Sequence, residues 1–308
     1  MAKKDRRLAQ ERARQIVAAQ RRAEARRRRV LIASAVVAVV LVALGLLVVV
    51  KLAGRHTGKP SAAASAASAA PADAAVTAAV TSVAATVLDQ VGTGKVTALP
   101  AATSGQAVLT DGTKPLIVYL GAEYCPYCAA ERWAVVVALS RFGTFSNLGQ
   151  THSSSTDVYP DTQTLSFHGA TYTSQYLAFQ GVEMQSNVPE GSGYTTLDTP
   201  TAQQQQLLAK YDAAPYVPAS AAGSIPFLDF ANQSIVSGAS YSPQLLQGRT
   251  AAQIATALSD PASDIAQAVD GTANAFTAQL CALTRNQPAT VCGGKAAAAY
   301  QGRFHAAA

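Results

Sequence analysis

The chain is poor in charge and in aromatic side chains: 14% of its 308 residues are charged, 6% are aromatic, and it has one Trp and two Met. No glycine-rich phosphate loop, Ser-His-Asp grouping or pair of catalytic carboxylates can be read from it. Phosphate-loop, serine-hydrolase and two-carboxylate chemistries therefore have no residues to stand on. His152, His168 and His305 have no ligand-like spacing and His56 lies in an Ala/Ser-rich stretch, so neither a metal site nor a cofactor is expected. There is no internal repeat. Apolar residues reach 49%, but much of that is alanine, which buries little area per residue. A core must rest on the clusters of Val, Ile, Leu, Phe and Tyr.

What charge there is sits at one end. Met1 to Arg29 holds twelve Lys or Arg against three acids, so this arm carries +9 of a net +6 and the rest of the chain carries −3. A nucleic-acid-binding domain would keep its positive charge on the folded part, so nucleic acid is not expected as a partner. Val30 to Val50 follows with no charged residue. Twenty-one helical residues span about 30 Å, the thickness of the bilayer hydrocarbon. Arg26 to Arg29 immediately before it predict, by the positive-inside rule, a cytosolic N-terminus and an extracytoplasmic remainder. A cleaved signal peptide is the competing reading, with Ala62 to Ala64 as its small-residue site, but its apolar region would be shorter.

The sequence divides into a basic cytosolic arm (1–29), a transmembrane helix (30–51), a flexible Ala/Ser/Pro stalk (52–72), an extracytoplasmic domain (73–300) and a tail (301–308). Val76, Val80, Val83, Val87 and Val91 form one helical stripe. Pro115 to Leu120 reads as a buried strand, and Ala129 to Phe142 as a buried helix with Trp133 in the core. Thr164–Phe167 and Tyr176–Phe179 suggest an inserted hairpin or two short strands. Thr201 to Tyr211 reads as a mostly polar helix, Ile225–Phe230 and Ser234–Val236 as two strands, and Ser263 to Thr284 as a helical tract, either continuous or broken at Gly271.

All four cysteines follow the membrane segment, where an oxidising compartment favours disulfides. Cys125 and Cys128 stand where the strand hands over to the helix. At a helix N-terminus, unpaired N–H groups and the macrodipole favour a thiolate, the nucleophile of disulfide exchange. Cys128, one turn on, is placed to resolve a mixed disulfide. Pro126 fits the first turn without removing a needed donor. A purely structural disulfide, a zinc site using all four cysteines and a degenerate redox fold kept for binding are the other readings of this pair. Glu131 reads as stabilising the first turns of its helix, with a proton relay as the other reading. Cys281 and Cys292 read as a second, structural disulfide across a turn at Asn286-Gln287-Pro288; a relay pair exchanging with Cys125 and Cys128 is the rival.

Ala122-Glu123-Tyr124-Cys125 resembles the Ala-Glu-Trp-Cys approach of thioredoxins, and Pro126-Tyr127 is the dipeptide of glutaredoxins. Ser224-Ile225-Pro226 before a strand resembles the cis-proline loop that faces the cysteine pair in the thioredoxin superfamily. The tract from Ala122 to Phe145 is also similar to an uncharacterised family of membrane-anchored prokaryotic thioredoxin-like proteins. The resemblance implies an α/β thioredoxin-like ectodomain with an inserted hairpin and C-terminal helices. It implies Cys125, Cys128 and a cis Pro226 as the catalytic set, with Tyr124, Tyr127 and Ile225 against substrate. Two departures stand out. Tyr119 occupies the position of the buried carboxylate that thioredoxins carry, and 101 residues separate Cys125 from Pro226, far more than in a minimal thioredoxin.

The expectation is a membrane-anchored thiol–disulfide oxidoreductase, oxidase or isomerase rather than reductase, acting on exported cysteine-containing proteins or a membrane redox partner. A non-catalytic cell-envelope interaction module on the same fold is the alternative.

Overall fold

The computed structural model describes residues 69–103 and 105–300. The basic arm, the membrane helix, the stalk up to residue 68 and the tail read from the sequence lie outside the described residues. Among the described residues no single helix is long and apolar enough to cross a membrane. What is described is a mixed α/β domain.

Strand β1 (Ala70–Pro71) leads to helix α1 (Ala74–Thr81), whose first N–H groups are capped by the Asp73 carboxylate. The valine stripe does not continue as one helix. Helix α2 (Ala85–Val91) leaves α1 at 61°. The Thr81 and Ser82 hydroxyls donate to the Thr77 and Ala78 carbonyls at the break, where side chains compete with the backbone ladder. Val76, Val80 and Val91 of the stripe are buried, Val83 and Val87 are half-buried, and Leu88 takes the buried place in α2.

Short strands β2 (Ala101–Ala102) and β3 (Thr110–Asp111) precede β4 (Lys114–Gly121), which runs into helix α3 (Pro126–Ser140). Strands β5 (Gly143–Ser146), β6 (Gly149–His152), β7 (Gln163–Ser166) and β8 (Thr171–Ser174) follow, then β9 (Ala178–Glu183). A hairpin of β10 (Gln185–Glu190) and β11 (Gly193–Thr196) leads to helix α4 (Ala202–Tyr211). The chain returns to the sheet in β12 (Phe227–Phe230) and β13 (Ser234–Ser237). It ends in a helical run of α5 (Ala251–Ala257), α6 (Asp264–Leu283), α7 (Ala289–Cys292) and α8 (Lys295–Ala298).

The central sheet has the order β2–β13–β12–β4–β9, with β3 joining the first residues of β4. β4 is parallel to β9 and antiparallel to β12, in the register Val118↔Gln180 and Val118↔Asp229. Its continuous apolar run is needed because both faces are covered. Ile117 and Tyr119 face the core built with α3 and α6, and Leu116, Val118 and Leu120 pack with Leu207 and Tyr211 of α4. α3 is buried on almost every side, as expected of a helix that is apolar all round except for Glu131 and Arg132.

Of the two readings of Thr164–Phe167 and Tyr176–Phe179, the structure has two short strands and not a hairpin: β7 joins β6, while β9 enters the central sheet. The hairpin of the insertion is β10–β11 instead, with Pro189 in its first strand. Gly271 does not break α6. A Cβ there would lie 3.0 Å from both Gly94 Cα and Thr93 O, so glycine is required for a close backbone approach.

Candidate functional site

β4 delivers the chain at Gly121 into a tight turn, where the Cys125 N–H donates to the Ala122 carbonyl at 3.2 Å. Cys125 is the N-cap of α3 and Pro126 follows at its start. The Cys125 sulfur accepts the Cys128 N–H at 3.3 Å, the place a capping oxygen would take. Both thiols are free, with Cys125 6% exposed and Cys128 fully buried. The Ile225–Pro226 bond is cis, and the Cys125 thiol donates to the Ile225 carbonyl at 3.7 Å. The loop before β12 therefore lies against the first thiol, across 100 residues of sequence.

The two thiols are driven apart in acidity. Hydrogen bonding from the Cys128 side chain, then the Cys128 N–H and the Arg132 guanidinium, hold the Cys125 thiol below its ordinary value, against the opposing effect of burial. Burial, reinforced by the neighbouring Cys125 sulfur, pushes the Cys128 thiol well up. A nucleophilic first thiol and a protonated second one is the division that stepwise thiol–disulfide exchange needs.

Beneath the pair lies a charge arrangement that the sequence reading missed. Arg132, one turn beyond Cys128, is fully buried and makes a two-pronged ion pair with Glu183 at the end of β9. Its Nε–Oε1 distance is 2.7 Å and its Nη2–Oε2 distance 2.6 Å. Nη2 also donates to the Ala122 carbonyl at 2.7 Å, tying the pair to the turn that presents Cys125. Burial pushes the Glu183 carboxyl up and Arg132 draws it back. The fork geometry is that of an ionised pair. The guanidinium stands 5.9 Å over the Tyr119 ring, whose hydroxyl has no hydrogen-bond partner. Glu123 is also buried, and its Oε1 accepts the Ser166 hydroxyl at 2.6 Å. The available signal was a lone Glu131-Arg132 dipeptide inside an otherwise apolar helix.

Glu131 plays a different part from the one expected. Its carboxylate is fully buried and accepts the Ser240 N–H at 2.8 Å and the Ser240 hydroxyl at 2.7 Å, so it pins the chain after β13 against α3. Burial pushes its pKa up to about 7.

The sequence-selected tyrosines flank the thiol. Tyr124 stacks on Tyr194 of β11 with centroids 4.4 Å apart and rings 7° from parallel. Tyr127 is exposed and meets Tyr159 edge-on at 6.0 Å. Tyr159 and Tyr194 escaped the sequence reading because nothing local links them to residue 125.

Cys281 and Cys292 form a disulfide between α6 and α7, with Cα atoms 5.5 Å apart. It is remote from the first pair. Arg141, the C-cap of α3, donates to Thr277 one turn before Cys281, whereas Cys125 caps the other end of α3. The 15-residue helix puts roughly 20 Å between Cys125 and that contact.

The site is thus a dithiol at a strand-to-helix step in a mixed α/β domain, backed by a buried ion pair and faced by a proline loop. The chain belongs to the family described as a domain of unknown function (DUF929), whose model matches residues 101–282. The match covers the dithiol, the ion pair, the Ile225 loop and Cys281, and stops short of Cys292. No curated protein and no solved structure is significantly similar to the chain.

Proposed function

We propose that this protein is a membrane-anchored, extracytoplasmic thiol–disulfide oxidoreductase with a thioredoxin-like fold, acting as oxidase or isomerase rather than reductase. The observation that carries the reading is the Cys125 sulfur capping α3 while its neighbour Cys128 is buried and held protonated. The fold reading draws support from the order of the central strands and from the Ile225–Pro226 loop that lies against the Cys125 thiol.

In the oxidising direction, a substrate thiolate attacks the Cys125 sulfur of a Cys125–Cys128 disulfide and Cys128 leaves as thiolate. A second substrate thiolate then attacks the substrate sulfur of the mixed disulfide. The substrate gains a disulfide, Cys125 leaves, and the protein holds the two electrons as a dithiol. A membrane redox partner accepting two electrons restores the disulfide. Exported cysteine-containing proteins are the substrates, and the membrane segment is residues 30–51.

A non-catalytic envelope interaction module is the second reading, favoured by the small exposure of Cys125. Two measurements separate them. Cys125 should alkylate with a midpoint below the free-thiol value of about 8.5. Cys128→Ser should accumulate mixed disulfides through Cys125 in cells. An ordinary thiol with no trapped adducts would overturn the redox reading. A measured reduction potential then fixes the direction.

A further inference from the structure

Among the described residues five large apolar side chains are exposed, and three of them lie on segments around Cys125: Tyr127, Val158 and Val188. These segments are tied to the site. The Ser154 N–H donates to the Tyr124 carbonyl at 2.8 Å, and the Tyr194 hydroxyl donates to Ser154 at 2.7 Å. Asn187 of β10 donates to the His152 carbonyl at 2.9 Å. The result is a ledge formed by the loop between β6 and β7 and by the β10–β11 hairpin. Six residues of β10 give it a length of about 20 Å, more than a small disulfide would need.

The charge of this surface is one-sided. The ledge segments, residues 149–166 and 185–196, carry Asp157, Asp161 and Glu190 and no Lys or Arg. Asp161 and Glu190 are exposed on the ledge segments, and Asp157 is half-buried there. The Tyr124 phenol is pushed up first by burial, then by the two thiols, Tyr194 and Asp157, which places Asp157 within electrostatic reach of the residue next to Cys125. Arg132 is sealed beneath and bound to Glu183, so it offers no counter-charge at the surface.

We infer that this ledge docks an extended polypeptide segment whose cysteine is flanked by Lys or Arg and by an apolar or aromatic residue. The inference rests on the redox reading above and adds its substrate class. Anionic glutathione is disfavoured by the same charge. Asp161 already accepts the Ser155 hydroxyl at 2.7 Å and lies 3.4 Å from His152 Nδ1, so the basic residues meet Asp157 and Glu190, and the apolar neighbour lies on Tyr127 and Val158.

The test uses the full chain carrying Cys128→Ser, reduced and held in nonionic micelles. The probes are three matched peptides, each presented as a mixed disulfide with the same small thiol. Their cysteines are flanked by Lys and Tyr, by Glu and Tyr, or by Ser. Cys125 thiolate attacks the peptide sulfur, the new bond joins Cys125 to the peptide, and the small thiol leaves as thiolate. Adduct formation is followed by mass spectrometry, and every rate is divided by that for the neutral bis(2-hydroxyethyl) disulfide. We expect the Lys peptide to exceed the Glu peptide about tenfold at low ionic strength, collapsing to about twofold in 1 M salt. The pair Asp157→Asn and Glu190→Gln should remove at least half of the low-salt advantage in logarithmic terms, and Tyr127→Ser should lower the Tyr-containing peptides relative to the Ser peptide. Equal relative rates for the Lys and Glu peptides, or faster reaction of the Glu peptide or of oxidised glutathione, overturn the docking surface while the neutral disulfide still reacts. No Cys125 adduct even with the neutral disulfide overturns the redox reading and this inference with it.

Discussion

Replacing Glu183 with Gln leaves the Arg132 guanidinium fully buried and without its counter-ion. The pair spans α3 and β9, and both side chains are completely shielded, so solvent cannot take over the role of the lost carboxylate. Removing one partner of such a pair costs about 3–5 kcal/mol, whereas replacing both with apolar groups of similar size is close to neutral or stabilising. Glu183→Gln should therefore be severely destabilised, and Arg132→Met combined with Glu183→Leu should lie within about 1.5 kcal/mol of the parent.

Trp133 is the single tryptophan of the chain, fully buried beside Arg132, with its Nε1 donating to the Gln163 carbonyl at 3.0 Å. Its fluorescence thus reports unfolding of this part of the domain. At a urea dependence of about 3 kcal/mol per M, Glu183→Gln should lower the midpoint by about 1–1.7 M. The double variant should stay close to the parent midpoint yet raise the alkylation midpoint of Cys125 modestly, because the hydrogen bonds from Cys128 remain while the lesser contribution of the Arg132 cation is gone. A loss below about 1 kcal/mol in Glu183→Gln would refute the reasoning, since it would mean the pair is hydrated like a surface ion pair. A double variant as unstable as the single would refute it too.

Three further predictions follow from other parts of the structure. Asp270 is buried in α6 with neither carboxylate oxygen hydrogen-bonded, and burial pushes its pKa to about 8. The folded state therefore keeps a proton that the unfolded state releases near pH 4, so stability falls as pH rises between these values, by about 1.4 kcal/mol per unit. Asp270→Asn should gain about 2–3 kcal/mol on the parent between pH 5 and pH 7, and parallel pH profiles would rule the effect out. The Cys281–Cys292 bridge closes a sequence separation of 11 and should contribute about 3 kcal/mol by restricting the unfolded chain, measured as the loss in Cys281→Ser with Cys292→Ser. Tryptic cleavage after Arg285, between the two cysteines, should give peptides joined only through sulfur, and free thiols in protein from its native compartment would contradict the pairing. In a cysteine-free background, impermeant maleimide should label Ser65→Cys and spare Ala2→Cys in intact cells; reversed labelling would put the dithiol in the cytosol.

Much of the site was legible because its signals are local. Strand, cysteine pair and buried helix follow one another within Pro115 to Phe142, and a thiol placed at a helix start needs no distant residue to be recognised. The Ile225–Pro226 loop could be named from its own tripeptide, although only the fold brings it to within 3.7 Å of Cys125. The same locality misled at the valine stripe. Periodicity reports which side of the chain is apolar but not the 61° bend between α1 and α2, past which Leu88 and not Val87 is the buried residue.

The sequence by itself determined the mixed α/β class, the central β4 strand, the dithiol on α3 and the cysteines available to pair near the C-terminus. The tertiary structure alone decided which strands neighbour β4, that β10–β11 is the hairpin of the insertion, and that Gly271 meets Gly94 rather than interrupting a helix. It also decided that Arg132 finds Glu183 across 51 residues and that Glu131 binds Ser240 across 109. The reason is physical. A helix start or an apolar run is fixed by neighbours in the chain, but a buried charge declares only that it needs a partner, and which partner reaches it depends on how distant strands are laid beside one another.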